Sequence, residues 1–497
     1  MLSRVQELLD ADCDRKVYVD FDYTLFRSNS TEEFLHTGRP AFVATLMLHV
    51  LRMIRPWAIG PMRKDSYISR DAIRAWALIL LMPWTLLLFK SRSRALFMRH
   101  HNAELAAILA SVDPNRIVIV SMGFEWLIRQ LLRDNRLGSA RIVATSFFAP
   151  LRLRRSGKLK ELRRMGLGPV FDRDLVITDS LDDEDLLQSV DNGFLLEANP
   201  EDARGAYEGV YVPFFYTARV KRTPEFVIKQ ILLEELPVIL LATVFFQPFA
   251  LSAWISATIL FVAFFAAYEV GYAENDKFGF AHETRPKLAT DYQTFRNFSL
   301  EPAAWFWVIG LTIVGVVLLD PAVVAATLER VGFKFEHSVY GDQAALMFLW
   351  LGVVLIGRGV FYVFNHLPLV WRIFAYVPLH FVKYFSLVVI FPSQAVGYLL
   401  LCSQIIRTWS LYAIRRSGGD MEFMASQTVR LVFLLLLLVS YEVAVDDSTT
   451  FQDWHTWIIL LWCIVRALPE AKRKLFSEVR TARGSRKRDA AERIDET

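Results

Sequence analysis

After about residue 230 the chain becomes a succession of apolar segments, and no other feature of the sequence constrains its fold as strongly. A bilayer core about 30 Å thick is crossed by about 20 apolar helical residues. Inside it, backbone amides must be satisfied within a helix or a closed barrel. Eight segments read as transmembrane helices, near 231–250, 252–273, 303–320, 344–364, 372–391, 393–413, 427–446 and 453–468. An even number returns the chain to the side on which it entered. Lys277, Arg285, Lys287 and Arg296 follow the second segment, Arg415 and Arg416 follow the sixth, and the tail after Lys472 is strongly basic. The stretch Val445–Asp453, by contrast, holds three Asp and no Lys or Arg. Basic residues concentrate on the cytosolic side. The expectation is therefore a multi-pass protein of the inner (cytoplasmic) membrane, with its N-terminal part and C-terminal tail in the cytosol.

The first two hundred residues are composed differently. The overall 54% hydrophobic content and mean hydropathy of +0.31 average over two unlike halves. A net charge of +4 on 497 residues is too small to make nucleic acid the expected partner. Cys13, Cys402 and Cys463 have neither an even count nor metal-ligand spacing, so neither a disulfide framework nor a thiolate metal site is expected. The charged start MLSRVQELLDADCDRK does not read as a cleavable signal peptide.

Short apolar strands at Lys16–Val19, Arg116–Val120, Arg141–Phe147 and Asp174–Ile177 alternate with helical stretches such as Glu125–Arg133. That alternation predicts an α/β domain with a parallel sheet covered on both faces. An apolar insertion, about 30–110, separates the first two strands. Its run Ala75–Phe89, broken by Pro83, is short for a span. It is read either as the buried core of a helical cap or as a cap leaning into the membrane interface, helped by Arg52, Arg55, Trp57 and Trp84. The adjacent His100 and His101 read as surface residues. The expected organisation is a domain over 1–200, a linker over 201–230, a membrane domain over 231–470 and a basic tail over 471–497.

Chemistry concentrates where the strands end, as it does in parallel α/β sheets. Asp20 and Asp22 stand two residues apart in VYVDFDYTLF. A carboxylate at that position can attack phosphorus and form an aspartyl phosphate. A second carboxylic acid can protonate the leaving oxygen and later activate water. Two carboxylates facing a phosphate require a hard cation with oxygen ligands, which points to Mg²⁺. Ser121 ends a strand within reach of a phosphoryl oxygen. Lys158 and Lys160, in RRSGKLKEL, supply a cation, and the residues alone do not choose between them. Asp179 and Asp183, in VITDSLDDED, are spaced to face a metal, with Asp182 a weaker alternative to Asp183.

This ordered set resembles the haloacid dehalogenase (HAD) superfamily of phosphatases over residues 15 to about 195. The resemblance implies a Rossmann-like domain with a helical cap and a DxDxT motif of Asp20, Asp22 and Thr24. Asp20 would be the nucleophile, Asp22 the acid and base, and Thr24 a substrate-binding residue. Ser121 would be the Ser/Thr motif, Lys158 or Lys160 the lysine motif, and Asp20, Asp22, Asp179 and Asp183 the Mg²⁺ ligands. Thr178 stands where that family's last motif has Gly, and Tyr23 where a small residue is common.

Glu269, Glu274, Asn275 and Asp276 close the second apolar segment, and ionisable residues at such depth are functional candidates. Asn275 and Asp276 can hold Mg²⁺ on a diphosphate, and Arg285 and Lys287 can meet its oxygens. Arg415, Arg416, Asp420 and Glu422 follow the sixth segment. The layout is similar to the UbiA superfamily of intramembrane prenyltransferases. Its NDxxDxxxD pattern is reduced here to Asn275 and Asp276 followed by Gly279 and Glu283. The resemblance implies Mg²⁺ at Asn275 and Asp276, with Glu283, Arg285, Lys287, Arg415, Arg416 and Asp420 around the substrate. One branch of that superfamily passes phosphoribosyl from phosphoribosyl pyrophosphate to polyprenyl phosphate.

The expected function is a bifunctional enzyme of lipid-linked sugar synthesis. A phosphoribosyl-type group moves from a sugar diphosphate donor to polyprenyl phosphate, and the HAD-like domain removes the sugar phosphate. A lipid-held intermediate would stay near the second site at high effective concentration. The alternative is a membrane-anchored phosphatase acting on a lipid-linked phosphate beside a non-catalytic membrane domain. A transporter or scaffold is less favoured, because most spans read as free of buried charge.

Overall fold

The computed structural model describes residues 2–12, 14–58, 66–197, 205–207, 209–248, 250–282, 292, 300–333, 339–419, 425–445 and 449–472. The chain divides into two compact units, Met1–Val210 and Tyr211–Thr497.

The first unit runs α1 (Leu2–Ala11), β1 (Val17–Asp20), α2 (Ser30–His36), α3 (Ala41–Ile54), α4 (Ser66–Leu81), α5 (Thr85–His100), α6 (Ala103–Ala110), β2 (Ile117–Phe124), α7 (Glu125–Leu132), β3 (Arg141–Thr145), α8 (Arg152–Ser156), α9 (Lys158–Arg164), β4 (Leu175–Thr178), α10 (Glu184–Leu187) and β5 (Asn192–Leu195). The five strands form one sheet in the order β3-β2-β1-β4-β5, and all neighbours are parallel. Continuous apolar runs build its centre because both faces are covered. Val17, Val19, Ile117, Ile119, Leu175 and Ile177 point into the larger core, shared with α1, α7 and the insertion. Their alternates Tyr18, Val118, Val120 and Val176 point to the other face, onto Leu162, Leu186 and Val190.

From β1 the chain steps outward through β2 to β3, then returns to the other side of β1 for β4 and β5. The β1–β4 boundary is thus the switch point, where open parallel sheets leave a crevice at the carboxyl ends of their strands.

The insertion folds as the five helices α2 to α6. Pro83 ends α4, and α5 departs from it at 115°. The apolar run divides between two environments. Ala75, Leu78, Met82 and Phe89 are buried in the core, whereas Leu80, Leu81, Trp84 and Leu87 stand exposed around the bend. Glu32 of α2 joins three parts of this unit. It pairs with Arg74 of α4, whose Nη2 donates to it at 2.9 Å, and it accepts the Ala206 backbone N–H at 2.6 Å. Nearby, Arg39 Nη1 donates to the Tyr207 hydroxyl at 2.9 Å, and Trp84 Nε1 donates to the Arg39 carbonyl at 2.7 Å.

The second unit is helical. Among the described residues four helices are long and apolar enough to cross a membrane: Leu251–His282, Tyr340–His366, Leu369–Val389 and Ser426–Val445. Counting each of two bent pairs as one span raises the number to six, and one of those pairs is α4–α5 of the first unit. The expectation of eight spans counted every apolar segment alike. Helices do cover the other segments, but 301–317 turns by 108° into 321–330, and the helix over 236–242 stops at Thr243. Ala395–Arg416 carries Gln404, Arg407 and its terminal arginines.

Helix packing is close where side chains are smallest. A Cβ on Gly271 would strike the Phe361 ring, and one on Gly357 would come within 2.9 Å of Phe264. Residues 211–230, expected as linker, belong instead to the second unit. The buried Glu269 carboxylate accepts from the Tyr211 hydroxyl at 2.8 Å and from the backbone N–H groups of Phe214 and Thr217 at 2.7 and 2.6 Å. A buried carboxylate needs such donors, and this segment provides them.

Candidate active site

At the switch point three adjacent strands deliver their side chains to one place. The register pairs Asp20 with Val120, so Asp20 at the end of β1 lies level with Ser121 on β2. It pairs Val19 with Ile177, so Thr178 and Asp179 emerge beside it from β4. After β1 the chain turns sharply. Tyr23 takes a left-handed φ of 63°, uncommon for a residue with a side chain, and its N–H donates to the Ser28 carbonyl at 3.2 Å. Strained backbone of this kind gathers at functional sites.

Lys158 Nζ lies 2.8 Å from Asp20 Oδ2 and 2.6 Å from Asp183 Oδ2, with a 4% exposed side chain. Thr178 Oγ1 donates to the same Asp183 oxygen at 2.6 Å. The Phe21 N–H donates to Asp20 Oδ1 at 2.7 Å. Asp22 accepts the Ser30 backbone N–H at 2.6 Å and the Ser121 hydroxyl at 3.2 Å. Thr24 Oγ1 donates to Asp179 Oδ1 at 2.7 Å. Asp20, Asp22, Thr24, Ser121, Lys158, Asp179 and Asp183 are therefore brought together.

Lys160 is not. Gly157, with φ of 83°, starts α9 at Lys158. Two residues on, Lys160 points roughly 200° around the helix and is exposed. Asp182 is exposed as well, which leaves Asp183 as the inward acid. Three contributors escaped the sequence reading. Thr178 supplies a hydroxyl, and Ser30 supplies a backbone N–H at the start of α2. Gly123 leaves room, since a Cβ there would fall 2.8 Å from Ser30 Oγ and against the Asp22 carboxylate. Gly123 N–H also donates to Ser121 Oγ at 2.9 Å and so aims its hydroxyl.

Four carboxylates share this crevice with one buried ammonium. Burial raises the Asp20 carboxyl to about 7; Lys158 opposes the shift, while Asp183 and Asp22 add to it. Burial also raises Asp22, against the bonds from Ser30 and Ser121, and raises Asp179, against the bond from Thr24. Lys158 is held above its ordinary value by Asp20 and Asp183, which outweigh the opposing effect of burial. Surplus negative charge on oxygen-only donors suits a hard dication such as Mg²⁺. Among the described residues no three acidic, histidine or cysteine side chains converge closely enough to hold a metal by themselves. An ion here would keep waters or take substrate oxygens, as Mg²⁺ commonly does.

The Asp20 shift sets a pH dependence. A carboxyl whose pKa rises from 3.8 to about 7 on folding binds its proton more tightly in the folded state. Its stabilising contribution is complete below about pH 3.8 and is lost as pH rises through 7. With chelator present, the thermal midpoint of the first unit falls across that window in the native chain. In Asp20→Asn that component of the slope is missing; equal slopes would contradict the assignment.

The sequence-predicted residues of the second unit meet different partners. Asp276 is buried and ion-paired with Lys221, and it accepts the Tyr216 hydroxyl at 3.0 Å. Asn275 Nδ2 donates to Asn365 Oδ1 at 3.0 Å, and Glu274 pairs with Arg358 at 2.9 Å. Arg415 and Arg416 are exposed at the end of their helix. Glu283, Arg285, Lys287 and Asp420 lie outside the described residues. The expectation that most spans lack buried charge is also corrected. Glu234, Glu235, Glu269, Lys383, Arg407 and Arg430 are all buried and neutralised or bonded by residues distant in sequence, and the buried Arg372 donates to the nearby Leu367 and Asn365 carbonyls. Compared with family models, curated proteins and solved structures, the chain matches none.

Proposed function

We propose that the first unit is a phosphomonoester hydrolase of the haloacid dehalogenase type, working through an aspartyl phosphate on Asp20. The observation that carries this reading is the Lys158 ammonium bridging Asp20 and Asp183, with Asp22 two residues away and bonded to Ser121. Lys158 orients the Asp20 carboxylate and offsets charge as an oxygen of Asp20 attacks phosphorus. The P–O bond to the leaving group breaks, and protonated Asp22 gives its proton to the departing oxygen. Asp22, now ionised, takes a proton from water, and that water attacks the same phosphorus. The bond to Asp20 breaks, and inorganic phosphate leaves. Burial raises the Asp22 carboxyl, the direction that favours a group serving as proton donor. Ser121 binds a phosphoryl oxygen. Asp20 and Asp179 would hold Mg²⁺, which when bound screens the phosphate from the surrounding carboxylates.

The substrate we propose is a phosphate carried on a lipid. An apolar groove of about 340 Å³ lies between α4 and the turn before α8, lined by Ala72, Ile73, Trp76, Leu80 and Leu151 among others. Arg154 pairs with Asp71 of α4 at 3.5 Å and donates to the Met122 carbonyl, which adjoins Ser121. The groove wall is therefore tied to the catalytic strand. The exposed apolar bend between α4 and α5 favours a cap that meets the membrane surface. Phosphate release from a polyprenyl phosphate sugar and from a short soluble phosphate ester, both with Mg²⁺ and detergent-purified protein, tests this. The lipid ester is expected to have the higher kcat/KM, and hydrolysis of neither would overturn the reading.

A phosphoribosyl-type transfer in the second unit is a second proposal. The gathering of Lys221, Tyr216, Asn275 and Asp276 at one end of an apolar helix favours it. Lipid product formed from a sugar diphosphate and lost in Asp276→Asn would support it. Full phosphatase activity without any transfer would leave the membrane half as an anchor.

A further inference from the structure

We propose that Arg407, Arg430 and Arg466 form an anion site inside the second unit that takes a phosphate monoester, either as a lipid head group or free in solution. Three guanidinium groups converge there on one carboxylate. Arg430 Nη1 is paired with Glu234 Oε1, Arg407 Nη1 lies 3.6 Å from the same oxygen, and Arg466 Nη2 lies 2.6 Å from Oε2. The Arg430 and Glu234 side chains are fully buried, and that of Arg407 is 3% exposed.

The neighbouring acids are spent elsewhere. Glu235 is paired with Lys383 at 2.6 Å and accepts the Tyr384 hydroxyl. Glu470 accepts the backbone N–H groups of Ser426 and Gln427 at 3.0 and 2.6 Å. Gln404 Oε1 accepts weakly from Arg407 and Arg430 at 3.4 and 3.3 Å, and it carries no charge. The triad thus holds three positive charges against one negative.

Its hydrogen bonding is incomplete in the same sense. Arg430 Nε and Nη2 and Arg407 Nε are buried without an acceptor among the described residues. Unmatched charge and unpaired donors are both costly at such a depth, and an anion relieves both. Guanidinium forks fit the oxygens of phosphate better than those of a smaller anion. Arg466, with 37% of its side chain exposed, gives the cluster an opening. The cluster also adjoins the start of the helix Ser426–Val445, where Arg407 Nη2 donates to Ser426 Oγ at 3.4 Å. The Arg430 guanidinium lies 4.4 Å over the Trp462 ring, which fixes its plane.

Binding of radiolabelled inorganic phosphate to full-length protein in zwitterionic detergent with chelator tests the proposal. A parallel arm measures retention of phosphatidic acid over phosphatidylcholine by native mass spectrometry. Both are run on Lys158→Met, which disables the site of the first unit. At least one ligand is expected to bind. Arg466→Gln is expected to weaken it about tenfold or more, with Arg466→Lys between. Inorganic phosphate alone identifies a free anion, and phosphatidic acid alone identifies a head group. Should Arg466→Gln fail to fold, Glu234→Gln decides, because removing the competing carboxylate must tighten binding. Absence of both ligands, indifference to Arg466→Gln, or no tightening in Glu234→Gln would overturn the site. Failure of phosphatase activity alone would not, since the triad shares no residue with Asp20.

Discussion

Asp20→Asn is expected to lower phosphate release by about 10⁴-fold or more, the scale on which enzymes lose rate when a covalent nucleophile is removed. The substitution keeps the size of the side chain, and its remaining oxygen can still accept from Lys158, now 2.8 Å from Asp20. What disappears is the charged oxygen that bonds to phosphorus. Rapid acid quench after mixing with ³²P-labelled substrate should find a hydroxylamine-labile acyl phosphate on the native chain and none on Asp20→Asn. In Asp22→Asn the label is expected to persist, because the water that clears it lacks its base. A labelled Asp20→Asn, or unchanged turnover, would dismiss Asp20 as the nucleophile.

Lys158→Met is expected to damage both stability and rate. Methionine fills much of the lysine volume but leaves Asp20 and Asp183, 10% and 5% exposed, without their shared cation. Breaking a buried pair by removing one partner costs about 3–5 kcal/mol. Here the loss should depend on pH. With the ammonium gone, an ionised Asp20 lies buried beside Asp183 without a cation, so the cost grows as pH rises; at lower pH a proton on Asp20 relieves most of it. Thermal unfolding at pH 5 and pH 8 distinguishes this from a simple packing defect, which would cost the same at both. Turnover should fall by about 10²-fold or more at either pH, as expected when a charge aimed at the transition state is lost. Lys160→Met should leave both properties nearly intact, since that side chain faces solvent.

Much of this site was legible because buried parallel strands announce themselves as unbroken apolar runs, and the polar residue that ends each run marks the crevice. Asp20, Ser121 and Asp179 were found that way. The choice between Lys158 and Lys160 was not legible, because it depends on where α9 begins. That start is set by the positive φ of Gly157, not by any periodicity. Gly123 acts by having no side chain, and Ser30 by its backbone N–H, so neither carries a chemical signature in a string of letters. In the second unit, hydropathy located the helices but not their interior. Glu234, Arg407, Arg430 and Arg466 lie on different helices up to 232 residues apart, and only packing reveals that they share one set of charges. The expected linker failed for a related reason. The polar groups of residues 211–217 are engaged by an acid more than fifty positions away.

Glu32 gives the first unit a point of anchorage. One of its oxygens grips both the arginine of a cap helix and the main chain close to where the unit ends. The short helix that carries Glu32 also begins at Ser30, whose amide steadies Asp22. A single carboxylate therefore links the cap helix α4, the main chain at Ala206 and the helix that starts beside Asp22. The chain at Ala206 is thereby anchored to the same short helix whose first amide holds Asp22.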